Sequence, residues 1–136
     1  MNDPAQRRNI AESLARAAQA LAVADAALAI GGTADAVSLT YHAALHYLRA
    51  RLFARWLDPR SHPGAHHLFN QEFVRSGLFP PKVNKLLAAL QRMREQADYD
   101  PGMLFDAEDA REQIAEVRAL GDRATAILWS ERWLDP

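Results

Sequence analysis

The chain has 136 residues, 49% of them hydrophobic, and its 16 basic and 17 acidic side chains nearly cancel. That size and apolar content predict one domain, residues 1–136, able to bury a core without covalent staples. Cysteine is absent, which excludes disulfides, thiolate metal sites and thiol nucleophiles; the opening MNDPAQRRN lacks the apolar run of a signal peptide, and no stretch of about 18 apolar residues suggests a membrane span, so a cytoplasmic protein is expected.

Ile10, Leu14, Ala17, Leu21, Ala24 and Leu28 recur at steps of three and four. They predict a first helix over about 5–30, ended at Gly31 and Gly32. A second helix is predicted over about 34–57, with the stripe Val37, Tyr41, Ala44, Leu45, Leu48, Leu52 and Trp56. The segment DPRSHPG, with two prolines and a glycine, breaks it. AHHLFNQEFVRSG reads as a short third helix, with Phe69 and Phe73 four apart and Gly77 at its C-terminal end.

PPKVNKLLAALQRMREQA opens a fourth helix on prolines that suit a first turn. Its stripe is Val83, Leu86, Leu87, Leu90, Met93 and Ala97, and DYDPG closes it. The last helix is predicted from about Asp106, a good N-cap, to about Trp133, with the stripe Ile114, Val117, Leu120, Ala124, Ile127 and Leu128. Acidic residues fill its first turns, where the helix dipole favours them. With no alternating strand pattern, the expected fold is all-α: an up-and-down bundle of four long helices plus one short helix.

The near-zero net charge hides an asymmetry. From His42 to Arg94 nine basic residues face only Asp58 and Glu72, giving +7; the remainder holds seven basic against fifteen acidic residues, giving −8. A basic middle offers an anion a local attractive field, or is simply a solvated set of helix faces. His42 and His46 sit one turn apart, as do His62 and His66, with His67 adjacent. H-x-x-x-H can aim two imidazoles at one metal, but H-E-x-x-H is absent and no nearby carboxylate completes a set, so no metal or other cofactor is expected. His62 precedes Pro63 in a segment read as loop. No G-x-S-x-G, P-loop or G-x-G-x-x-G is present, which argues against a serine hydrolase or a nucleotide-hydrolysing fold.

That leaves LAALQRMREQADYDPG, Leu87 to Gly102. Arg94 and Asp98 are four apart and can pair across one turn as a plain surface ion pair, with Tyr99 packing nearby. Alternatively the Arg94 guanidinium grips a phosphate with two parallel hydrogen bonds.

The order of features resembles the HEPN superfamily, and within it the small stand-alone prokaryotic proteins of the UPF0332 type. AVSLTYHAALHYLRARLF resembles the family's second long helix, SHPGAHHLFNQEFVRSG its T/S-H-x-G…F…F-V…G segment, and LLAALQRMREQADYD its R-x-x-A-D-Y signature. The resemblance spans nearly the whole chain and implies a helical bundle that pairs as a homodimer. It also implies a role in a toxin–antitoxin or defence system and, in many members, metal-independent RNA cleavage by Arg and His four to six residues apart. A minimal nucleotidyltransferase is the implied partner, and RNA or a nucleotide the implied ligand. Arg94 occupies the motif's Arg position, with Asp98 orienting it, and Tyr99 stands where the shortest spacing would put His. An imidazole exchanges protons near neutrality, whereas a phenol, with a pKa of about 10, donates a hydrogen bond but is a poor base. His46, His62, His66 and His67 are candidates to supply the missing imidazole. Arg49, Arg51, Arg55 and Arg92 are the candidate nucleic-acid contacts. Tyr99 is also a candidate acceptor of a transferred nucleotide. The competing reading is a non-catalytic interaction module that docks a nucleotidyltransferase or a second copy through an exposed face including Trp129 and Trp133.

Overall fold

The computed structural model describes residues 3–99 and 106–134. Five α-helices follow in order: α1 Pro4–Ala29, α2 Thr33–Phe53, α3 His62–Phe69, α4 Lys82–Tyr99 and α5 Ala107–Ser130, with one π-helical turn, Asn70–Val74, after α3. No strand occurs among the described residues. The expected bundle of four long helices and one short one is the observed architecture.

Local chemistry accounts for the helix ends. The Asp3 carboxylate accepts hydrogen bonds from the Ala5 and Gln6 amides at 2.8 and 3.1 Å, with Pro4 preset for the first turn. Gly31, at φ 87°, lets the chain reverse so that the Gly32 amide donates to the Ala27 carbonyl at 2.7 Å. Asp106 caps α5 by accepting from the Glu108 amide at 2.8 Å, as its residue type predicts.

α2 is the central element. Buried residues cover more than one face of it, and it packs against α1, α3, α4 and α5. Tyr41, Leu45, Leu48 and Leu52 are at most 1% exposed. Opposite α2, α5 carries a glycine in mid-helix, Gly121, where a Cβ would meet the Tyr47 ring at 2.3–2.7 Å. Alanine there would gain about 1 kcal/mol of helix propensity. The clash with a buried ring costs more, about 1–3 kcal/mol for overpacking in general and the upper end at so short a distance. Gly121→Ala is therefore expected to lower the urea midpoint; an unchanged or raised midpoint would contradict this packing.

Three places depart from the sequence expectation. α2 stops at Phe53 because Trp56 adopts a left-handed φ of 61°, and the Leu57 amide closes onto the Leu52 carbonyl at 3.0 Å. Trp56 thus leaves the buried stripe and is 64% exposed. α3 begins at His62, earlier than its apolar pattern suggests. The Ser61 hydroxyl accepts from the Gly64 amide at 3.0 Å, and Pro63 sits within the first turn, where its missing N–H costs nothing. Trp133 packs in a small core with Ile10, Ala50 and Leu128, while Trp129 remains 49% exposed. Of the two tryptophans expected on a docking face, only Trp129 is on the surface.

Candidate nucleic-acid interface

Because α3 starts at His62, His62 and His66 lie one turn apart on a true helical face. That face meets Tyr41 of α2. The Tyr41 hydroxyl lies 3.2 Å from His66 Nε2, and the Tyr41 ring stands edge-on to His62 and His66 at 5.8 and 5.9 Å between centroids. His42, the next residue of α2, places its ring 6.5 Å from that of His62. From α4, the Arg94 guanidinium carbon lies 5.5 Å from the Tyr41 ring centre, within cation–π range. Three helices thus gather an arginine, a buried phenol and three imidazoles at one place.

The electrostatics are those of a positive, partly desolvated patch. Burial is the largest influence lowering the pKa of His42, His62 and His66 below the usual 6.5. The Arg94 and Arg49 charges push His42 and His62 further down. Burial raises the pKa of the Tyr41 phenol. All three imidazoles therefore favour the neutral form at pH 7, able to accept a proton. The patch invites an anion and holds uncharged bases beside it.

The residues singled out from sequence are distributed as follows. Arg94 is half-buried within the cluster. The side chains of Asp98 and Tyr99 lie outside the described residues, although α4 runs to Tyr99. Arg49 is half-buried on α2, and its charge is felt at His42, His46 and His62. Arg92 is exposed on α4, but a two-residue step turns it about 200° from Arg94, so the two do not share a face. Arg55 lies beyond the end of α2 with its guanidinium 5.3 Å from the Phe73 ring centre. Arg51, expected as a nucleic-acid contact, is fully buried and bonded to Glu131, because α2 is buried on the side from which it projects. Of the candidate substitute histidines, His62 and His66 join the cluster, His46 sits one turn further along α2, and His67 is exposed.

Tyr41 and His42 are the members that sequence reasoning missed. Tyr41 reads as one more residue of a core stripe, and His42 as half of a metal pair. Among the described residues no group of three or more His, Cys, Asp or Glu side chains is arranged to hold a metal ion. The available signal was the dipeptide Tyr41-His42, which puts a phenol into an otherwise apolar stripe with an imidazole beside it.

A helical bundle with this arginine- and histidine-bearing junction belongs with the HEPN domains, and the chain is a member of that family: residues 10–125 match the family model described as HEPN domain. Among its relatives, the Methanocaldococcus jannaschii protein named "Putative toxin MJ0605" is 29% identical over 94 residues, 69% of each chain. A "UPF0332 protein" of Thermotoga maritima is 27% identical over 94 residues, 69% of this chain and 71% of that one. A UPF0332 protein of Gloeobacter violaceus is 35% identical over 64 residues, 47% of this chain and 51% of the other. The described helices include none long and apolar enough to cross a membrane.

Proposed function

We propose that this HEPN protein binds RNA at the Arg94–Tyr41–histidine cluster and cleaves it without a metal, as the toxin-like half of a toxin–antitoxin or defence pair. The observation that carries this reading is the convergence of His42 and His62 on the Tyr41–Arg94 contact, which supplies the imidazoles absent from the end of α4. In the reaction a ribose 2′-hydroxyl attacks the adjacent phosphorus and the bond to the 5′-oxygen breaks, leaving a 2′,3′-cyclic phosphate and a free 5′-hydroxyl. One imidazole takes the hydroxyl proton and the other delivers a proton to the leaving oxygen. Arg94 meets the charge that builds on the phosphoryl oxygens. Relatives named as toxins support the biological class. The same reading makes the chain a homodimer with a shared basic cleft, working beside a minimal nucleotidyltransferase.

Incubation of RNA with wild type and with Arg94→Ala in EDTA tests it. Cleavage by wild type that survives chelation, and falls by about 10²-fold or more in the variant, is expected from loss of one charged contact to the transition state. Equal, negligible cleavage and binding by both proteins would instead leave a docking module, a reading favoured by exposed Trp56 and Trp129. Gel filtration reads the oligomeric state directly.

A further inference from the structure

The cluster is not isolated on the surface. His42, His46, Arg49 and Phe53 follow one another on α2 at steps of four, three and four, so they share one helical face. Their span is about 16 Å at 1.5 Å per residue. Along that face a groove runs between α1 and α2. Its first part, about 590 Å³, starts at His42 and is floored by apolar Ala20, Val23 and Leu39. Its second part, about 180 Å³, is lined by His46, Arg49 and Phe53 from α2 and by Arg16 from α1. Glu12, Arg16 and His46 line both parts, so the groove is continuous from His42, the one member of the cluster that lines it, to Phe53.

We propose that this groove is a subsite for the nucleotide adjoining the phosphate held at Arg94, with Arg49 and Arg16 binding the next phosphate and Phe53 offering a ring to a base. The inference rests on the reading of the cluster as an RNA site and extends it to the direction the strand takes. Among the described residues, two guanidiniums and an imidazole meet one carboxylate in the narrow part, Glu12, which bonds Arg16 at 2.6 Å. Both side chains of that pair are more than half exposed, at 64% and 59%. A pair so open to water is weak, and a phosphate offers Arg16 a two-oxygen fork where Glu12 supplies one bond, so exchange of partner is easy. The apolar floor suits the flat faces of bases, and an aromatic ring beside a cationic track is how single strands are held without sequence preference. Arg49 lines the narrow part, and its charge is also felt at His42 and His62 in the cluster.

The test is a fluorescence-anisotropy titration with single-stranded RNA of one, two and four nucleotides, using wild type, Arg16→Gln and Phe53→Leu. Wild type should bind the longer strands more tightly. Arg16→Gln should lose about tenfold in affinity for the tetranucleotide, the scale of one charged hydrogen bond, and leave mononucleotide binding unchanged. Its salt dependence should fall by about 0.7 in log–log slope, the value of one phosphate contact on a single strand. Phe53→Leu should weaken the tetranucleotide without changing that slope. Arg94-dependent binding with no length dependence, or equal losses on short and long strands, overturns the subsite alone. A changed elution volume for Arg16→Gln on gel filtration also overturns it, making the groove a contact between two copies. Absence of RNA binding by wild type overturns the cluster reading and the subsite together.

Discussion

Cleavage by a His62→Ala variant is expected to fall by about 10²–10⁴-fold, the usual contribution of a positioned acid or base, while RNA affinity changes little. The difference is expected because, on the proposed reading, His62 meets only the transferring proton whereas Arg94 holds the ligand itself. The pH profile follows from the shifts. His42 and His62 both have pKa values lowered below 6.5, first by burial and then by the Arg94 and Arg49 charges. A neutral imidazole to act as base is therefore available at pH 7, but its protonated counterpart is scarce. The rate should rise as pH falls from 8 toward 6.5, peak on the acid side of 6.5, and drop once both rings are protonated. An optimum above pH 8, or no effect of His62→Ala, would assign the proton transfers elsewhere. Folding must be monitored alongside. A histidine whose folded pKa is depressed contributes stability that is present above its unfolded pKa and lost as pH falls through the folded value. His42, His46, His62 and His66 all act in this direction, so circular dichroism should accompany every assay below pH 6.

Replacing Glu131 with alanine is expected to lower the unfolding free energy by about 2–3 kcal/mol. Arg51 is 0% exposed, and the Glu131 carboxylate bonds two of its nitrogens. Among the described residues the Arg51 Nε has no hydrogen-bond partner, and the Phe73 ring lies 4.7 Å from the guanidinium carbon. Removing Glu131 leaves a buried charge compensated mainly by a cation–π contact, a situation that costs about 3–5 kcal/mol when burial is complete. Glu131 is 32% exposed, so water offsets part of the loss and the lower figure applies. In a domain of this size the melting temperature should fall by roughly 10 °C. The double variant Arg51→Met/Glu131→Leu should recover most of that loss, since an apolar pair carries no desolvation penalty. A melt unchanged by Glu131→Ala would show that the buried Arg51 charge does not depend on Glu131.

The long helices were legible because their apolar residues keep to steps of three and four, and because Asp106 and the glycines at 31 and 32 mark their ends. The errors share one cause: a residue type has two uses, and periodicity does not choose between them. Pro63 reads as a breaker but sits in a first turn. Trp56 extends the α2 stripe, yet its own left-handed backbone turns it out of the core; Trp133, expected on an exposed face, is folded in by the chain after α5. Arg51 looks like one more surface cation in a basic run; it lies on a buried side of α2, and its charge is met by Glu131, 80 residues away. The candidate site follows the same logic. Arg94 stands out locally, whereas Tyr41, His42 and His62 become its neighbours only when three helices cross.

α3 has eight residues, too few for a helix to hold itself in water. Its order is borrowed from behind, where Phe69 interlocks with Phe73 and Phe79 at 5.3 and 5.0 Å between ring centres. Phe73 joins that trio from the π-helical turn that follows, whose Asn70 is tied to Asn84 at 2.8 Å. Imidazole placement at the surface is thus a readout of aromatic interlocking inside: loosening the rings would unsettle His62 and His66 before the long helices came apart.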